Sequence, residues 1–193
     1  MFSKFNKYNI ILASGSPRRK QFLQDLDIPF QVITKEIEEI YPQHLERDEI
    51  TNFLANLKAA AFDDLAENDV VITSDTIVWF QNKALGKPKD FDDAFEMLSK
   101  MAGHTHEVYT SVCIKTKNKI FTFSDCTKVT FSNLTNEEIT YYLNLYKPFD
   151  KAGSYGIQDW IGLVAISKIE GSYTNVVGLP TEKLFQKLNE TLV

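Results

Sequence analysis

Only two cysteines, Cys113 and Cys126, occur in the 193 residues. Neither a disulfide framework nor a four-cysteine zinc site can be built from them, and a reduced, cytoplasmic setting is the default expectation. A basic excess is missing as well, since 21 lysines and arginines face 26 acidic residues for a net charge of -5. Such a chain lacks the footprint for following a nucleic-acid backbone, so DNA and RNA are not expected partners. Long apolar runs are also absent. Ile10 to Ala13 and Ile161 to Ile166 fall far short of the ~18 residues that span a bilayer. The N-terminus lacks the longer apolar region of a secretion signal, and no membrane partner is expected. Glycine and proline are sparse and fall singly, with no linker, repeat or low-complexity tract, so residues 1–193 read as one continuous domain. Core material is plentiful: 44% of the residues are hydrophobic, enough for a compact globular interior.

The pattern of that material predicts alternating strands and helices. Tyr8 to Leu12 reads as a strand, followed by a tight turn and a helix with Ser16 as its N-cap, Pro17 in its first position and Phe22, Leu23 and Leu26 inward. Phe30 to Ile33 reads as a second strand. Ile50, Phe53, Leu54, Leu57, Ala61 and Leu65 mark one face of a long helix. Val70 to Thr73 predicts a third strand, and Thr76 to Phe80 enters a hairpin through Gln81-Asn82-Lys83. Asp90 is placed to cap a helix carrying Phe91, Ala94, Phe95 and Leu98, ended by Gly103. Glu107 to Thr116 and Lys119 to Phe131 read as long strands joined near Lys117-Asn118. A helix from Thr135 to Tyr146, a strand around Leu163 to Ile169 and a helix from Pro180 to Leu192 complete an α/β chain with a mixed, twisted sheet flanked by helices.

Several residue groups carry chemistry. Ser14, Gly15 and Ser16 precede Arg18 and Arg19 at the start of the first helix. Cations are unfavourable beside the positive end of a helix dipole, and the pair makes sense if an anion binds there to the amides, hydroxyls and guanidinium groups. A solvated arginine pair beside an ordinary cap is the plain alternative. The glycine spacing matches no Walker or dinucleotide loop. Lys58 falls on the inward side of its helix and must snorkel, pair or reach a ligand. Lys87 lies between Gly86 and Pro88 in a loop, where a phosphate contact competes with simple solvation. Asp75 interrupts an otherwise buried apolar strand, a costly place for an acid that is neither paired nor metal-bound. Glu38 and Glu39 offer further oxygens for a hard cation, or a solvated acidic turn. His104 and His106 read as surface histidines rather than a zinc pair. Asp150 to Gln158, with Lys151 and Tyr155 among its members, has the mixture of a base-binding pocket, or of a turn whose Tyr155 closes the core. Gly171 to Pro180 could likewise be a long connector.

Together these segments resemble the Maf family of nucleotide pyrophosphatases. The matching pieces are Leu12 to Arg19, Glu38-Glu39, Leu54 to Ala59, Ser74 to Val78, Leu85 to Asp90, Asp150 to Gln158 and Gly171 to Pro180, in the family's order. The resemblance implies a fold similar to the inosine-triphosphate pyrophosphatases, with two lobes around a cleft, and a homodimer. It implies hydrolysis of nucleoside triphosphates to monophosphate and pyrophosphate with a divalent cation, Mg²⁺ or Mn²⁺. The segment ending in Gln158 looks like the branch acting on dTTP and UTP, whereas a sister branch acting on 7-methyl-GTP usually has Glu there. By the same matching Asp75 is the proton acceptor, and Arg18, Thr76 and Gln158 influence substrate choice. Ser14, Ser16, Arg18, Arg19, Lys58 and Lys87 are the expected phosphate ligands, Glu39 and Asp75 the metal ligands with Glu38 a further candidate, and no organic cofactor is needed. Two positions depart from the pattern: Ser74 replaces a small apolar residue, and Asp159 stands where Gly is common. A nucleotide-binding regulator of cell division that senses without hydrolysing is the alternative, and a base such as Asp75 is superfluous to it.

Overall fold

A computed structural model describes residues 3–192. Among the described residues the sheet has seven strands in the order β2-β1-β3-β5-β6-β7, with β4 paired to β3. They are β1 (Asn9–Leu12), β2 (Gln31–Val32), β3 (Asp69–Phe80), β4 (Lys83–Leu85), β5 (Thr105–Thr116), β6 (Ile120–Phe131) and β7 (Ile166–Glu170). The helices are α1 (Pro17–Asp25), α2 (Asp48–Ala60), α3 (Phe91–Met101), α4 (Asn136–Tyr146), α5 (Trp160–Val164), α6 (Tyr173–Val177) and α7 (Thr181–Thr191). Parallel β1–β2 and β1–β3 pairs coexist with antiparallel β3–β4 and β6–β7 pairs, which is the expected mixed sheet. None of the described helices is long and apolar enough to cross a membrane.

The chain groups into two compact units. The first comprises Met1–Asp75, Thr110–Asp125 and Gly178–Val193, and the second comprises Thr76–Tyr109 and Cys126–Val177. In the first unit, alternation sorts the strands onto two faces. Ile10, Leu12, Val70 and Ile72 join Leu23 of α1 and Leu184 and Leu188 of α7, while Ile11 and Val71 pack with Phe62. Register sets Leu12 opposite Ile72, so the turn after β1 opens beside Thr73 to Asp75 of β3. In the second unit Val78, Leu98, Val108, Phe131, Ile139, Tyr142 and Tyr155 share one core.

Several expected boundaries hold. Ser16 caps α1 by accepting from the Arg19 amide at 3.4 Å, and Thr135 and Glu138 close a capping box on α4. Gln81 and Asn82 have φ of 49° and 59°, the left-handed pair that a tight hairpin requires. Others move. Asp75 does not interrupt β3, which runs unbroken through it, because Lys58 offsets the charge that argued for a break. The second helix stops at Ala60, so Leu65 lies in the following loop. Leu163 belongs to the short α5 and is 84% exposed; only the segment from Ile166 is extended. Gly171 to Pro180 contains α6 rather than being a plain connector.

His106 is not a surface residue. On β5 it is 2% exposed, its Nε2 lies 2.7 Å from the Tyr155 hydroxyl, and its ring meets Phe131 edge-on. His104 stays exposed beside the Ala102 carbonyl. Burial pushes the His106 imidazole down to about 4, against 6.5 ordinarily. The unfolded chain therefore takes up a proton before the folded one, and stability is lost as pH falls from about 6.5 to about 4. A gap of that size corresponds to about 3 kcal/mol. In urea unfolding compared at neutral pH and at about pH 4, the wild type should lose more stability than His106→Gln; equal losses would show that this imidazole is not the titrating group.

Candidate active site

Close packing of α2 on β3 builds the centre of the site. Ala55 and Ala59 are small and sit against Cys113, so the helix approaches until the Thr73 hydroxyl donates to the Ala55 carbonyl at 2.6 Å. One helical turn beyond Ala55 lies Lys58, and two residues beyond Thr73, on the same strand face, lies Asp75. Lys58 Nζ donates to Asp75 Oδ1 at 2.7 Å and pairs with Glu39 Oε1 at 3.1 Å. Lys58 thus resolves its inward position by pairing rather than by snorkelling. Asp75 is 7% exposed, and its burial pushes the carboxyl above its usual range while Lys58 and Arg19 pull the other way.

The turn after β1 holds the second cationic group. Arg19 Nε donates to the Gly178 carbonyl at 2.8 Å, and its Nη1 donates to the Ser74 carbonyl at 2.9 Å and to Ser14 Oγ at 3.2 Å. Three donors of this guanidinium therefore fasten α1 to β3 and to the segment entering α7. Burial pushes Arg19 below its ordinary value, with Asp75 opposing. Ser14 Oγ also accepts from the Ser16 amide at 3.3 Å, and Ser16 Oγ caps the helix, so each hydroxyl accepts within the turn and retains its own hydrogen to donate. Arg18 is half-buried. The Gly178 carbonyl carried no chemical signal in the sequence; only its place beside Pro180 marked a turn.

Glu39 and Asp75 converge on one cationic atom. Hard divalent ions are often held by one or two carboxylates with water and phosphate oxygens completing the shell, and this pair suits such an ion. No group of three or more His, Cys, Asp or Glu gathers for a metal among the described residues. Glu38, the further candidate, is exposed and is not grouped with Glu39 and Asp75 among the described residues.

The second unit carries Thr76, half-buried, and Lys87 and Gln158, both exposed. Gly153 donates its amide to the Gly86 carbonyl at 3.0 Å, which joins the Lys87 loop to the segment ending in Gln158. Gly153 has φ of 68°, and a Cβ there would lie 2.8 Å from Val78, so both conformation and space call for glycine. Lys151 pairs with Asp150 at 2.9 Å. Tyr155, offered as a base-pocket candidate or as a residue closing the core, is 5% exposed and bonded to His106, which favours the second reading. Tyr142, which the sequence reading did not single out, donates to Asp159 Oδ2 at 2.8 Å.

A family model described as Maf-like protein matches residues 9–191. A dTTP/UTP pyrophosphatase of Flavobacterium psychrophilum is 64% identical over 183 residues, covering 94% of each chain. One of Flavobacterium johnsoniae is 60% identical, covering 98% of both chains, and one of Phocaeicola vulgatus 48%, covering 98% of this chain and 100% of that one. Among solved structures, a HAM1 protein from Coxiella burnetii superimposes with a TM-score of 0.51 at 13% identity, covering 95% of this chain and 100% of that one, which speaks for a shared fold.

The Arg19 contacts predict a division of labour between the two arginines. Arg19→Met takes the guanidinium donors from the buried Ser74 and Gly178 carbonyls, a loss of about 1–3 kcal/mol for an acceptor left unpaired. The urea midpoint of that variant should fall well below that of Arg18→Met. Equal midpoints would mean that the guanidinium does not hold the turn.

Proposed function

We propose that this chain, which belongs to the Maf-like protein family, hydrolyses dTTP and UTP to the monophosphate and pyrophosphate. It is a hydrolase acting on nucleoside triphosphates. The observation that carries the assignment of roles is a carboxylate kept at 7% exposure beside one ammonium and a guanidinium. An acid retained at such cost, with its affinity for protons raised, is suited to accept one from water. Lys58 holds Oδ1 of Asp75, and Oδ2 is the atom that takes the proton from the water attacking the α-phosphorus.

Ser14, Ser16, Arg18, Arg19, Lys58 and Lys87 are the phosphate ligands in this proposal, as donors spread along the chain suit a long polyanion. Glu39 and Asp75 would hold a divalent cation, Mg²⁺ or Mn²⁺, which would supply neutralisation of phosphate charge. Gln158 reads the base, with Arg18 and Thr76 contributing to substrate choice and Lys151 to the pocket. A uracil or thymine edge alternates carbonyl acceptors with an N–H donor, and a glutamine amide offers both partners. No organic cofactor enters. The two cysteines are free thiols, which accords with a cytoplasmic enzyme. The assembly is proposed to be a homodimer, to be checked as a particle of twice the 22.1 kDa chain mass.

Purified protein given dTTP and Mg²⁺ should release equal amounts of dTMP and pyrophosphate, with activity abolished by excess chelator. Orthophosphate as the sole primary product would overturn the reaction assignment, and nucleotide binding without release would favour a sensor. Asp75→Asn should keep nucleotide affinity within a few-fold while lowering kcat by about 10²- to 10⁴-fold; wild-type turnover in this variant would move the base elsewhere.

For selectivity, Gln158→Glu is expected to lower kcat/KM on dTTP and UTP more than on guanine triphosphates, because a carboxylate only accepts and leaves pyrimidine carbonyls unpaired. Equal losses on all of them would remove Gln158 from base recognition.

A further inference from the structure

Asp159 stands at the N-cap position of α5, yet its side chain makes no capping bond. A capping carboxylate ordinarily accepts from an amide in the first turn. Here it turns away and accepts from the Tyr142 hydroxyl at 2.8 Å, and the same hydroxyl oxygen accepts the Gly156 amide at 3.0 Å. Asp159 N in turn donates to the Gly156 carbonyl at 3.0 Å. The four-residue turn Gly156 to Asp159 is therefore closed twice, once by its own backbone and once through a phenol that is 0% exposed. A Cβ at Gly156 would lie 2.5 Å from Asp159 Oδ2, so any larger residue there would have to displace the carboxylate. Gln158, third in this turn, is exposed.

We propose that Asp159 and Tyr142 are positioning residues that hold the Gln158 turn in the conformation from which its amide meets a pyrimidine. The inference rests on the reading that Gln158 contacts the base, and it adds the device that aims it. Burial raises the Tyr142 phenol well above its ordinary range, so it stays protonated and continues to donate. Lys151 Nζ lies 4.0 Å from Asp159 Oδ2 and adds charge to the same anchor. A turn ordered before the substrate arrives spares the ordering cost on binding, and the effect falls on KM rather than on kcat.

The test is a set of kinetic cycles on dTTP, UTP and GTP with Tyr142→Phe, Asp159→Ala and Asp159→Asn, each with and without Gln158→Ala, with thermal midpoints recorded. Tyr142→Phe and Asp159→Ala should raise KM for dTTP and UTP about tenfold with kcat within about twofold, in line with one lost hydrogen bond to a charged group. GTP should respond less. Asp159→Asn keeps an oxygen that accepts from the phenol and should restore most of the pyrimidine preference. In the Gln158→Ala background the effect of Asp159→Ala should vanish. Should Gln158→Ala shift the preference while Tyr142→Phe and Asp159→Ala leave it alone, the positioning role is wrong and the base-reading role survives. Losses equal on every triphosphate, or persisting in full without Gln158, also overturn the positioning role. If Gln158→Ala leaves the preference intact, the base-reading role fails and takes this inference with it. Should Tyr142→Phe not fold, the Asp159→Ala and Asp159→Asn pair decides alone.

Discussion

Burying a carboxylate beside a parallel strand pair is costly, and the ammonium of Lys58 offsets that cost at Asp75. Much of the first unit serves this pairing. A lysine on the inward side of a helix reaches a strand residue only if the helix comes close, and α2 comes close because Ala55 and Ala59 present almost no side chain to Cys113. The Thr73 hydroxyl then bonds the Ala55 carbonyl and fixes the height of the helix on the strand. Lys58 also lies in the last turn of α2, where the helix dipole favours a cation. Packing, dipole and pairing point the same way, which is why β3 carries an acid without breaking.

The carboxyl of Asp75 nevertheless stays above its usual range, so the pair does not fully repay its desolvation. A paired acid in water would lie lower. The balance between burial and Lys58 leaves a carboxyl with a raised affinity for a proton, and Glu39, sharing the same ammonium, adds to that bias. Arg19 plays a second part as well, since its Nε and Nη1 donate to the Gly178 and Ser74 carbonyls and the Ser14 hydroxyl. Two adjacent arginines in one motif are thus set apart by what surrounds them.

Local patterns in the sequence were enough for the strand-turn-helix at Ser14 to Arg19, the hairpin at Gln81 and Asn82, and the cap at Asp90, because each depends on neighbours in sequence. The inward face of Lys58 was legible for the same reason. Long-range compensation was not. The break expected at Asp75 assumed an unpaired acid, and the partner lies 17 residues earlier on another element. His106 looked solvated because a single histidine on a strand carries no sign of a tyrosine 49 residues later. Tyr155 was ambiguous between pocket and core, and only the packing of Phe131 and His106 on its ring decides it. Leu163, an apolar residue left 84% exposed, lies in a five-residue helix that composition could not separate from a strand.

Asp159 shows how two weak preferences are settled by magnitude. As an N-cap it would gain about 1 kcal/mol for α5. As the acceptor of a buried phenol it makes a hydrogen bond to a charged group worth about 1.5–3 kcal/mol. The second is larger, and it carries a further advantage. Without the carboxylate, the Tyr142 hydroxyl would sit at 0% exposure with its hydrogen unspent, a penalty the cap could not offset. A glycine at position 159 would give the loop backbone freedom and leave that hydroxyl to find another acceptor. With aspartate the turn exchanges freedom for a fixed shape, and its rigidity becomes a property of α4 as much as of the loop, because the phenol that ties both ends belongs to the helix.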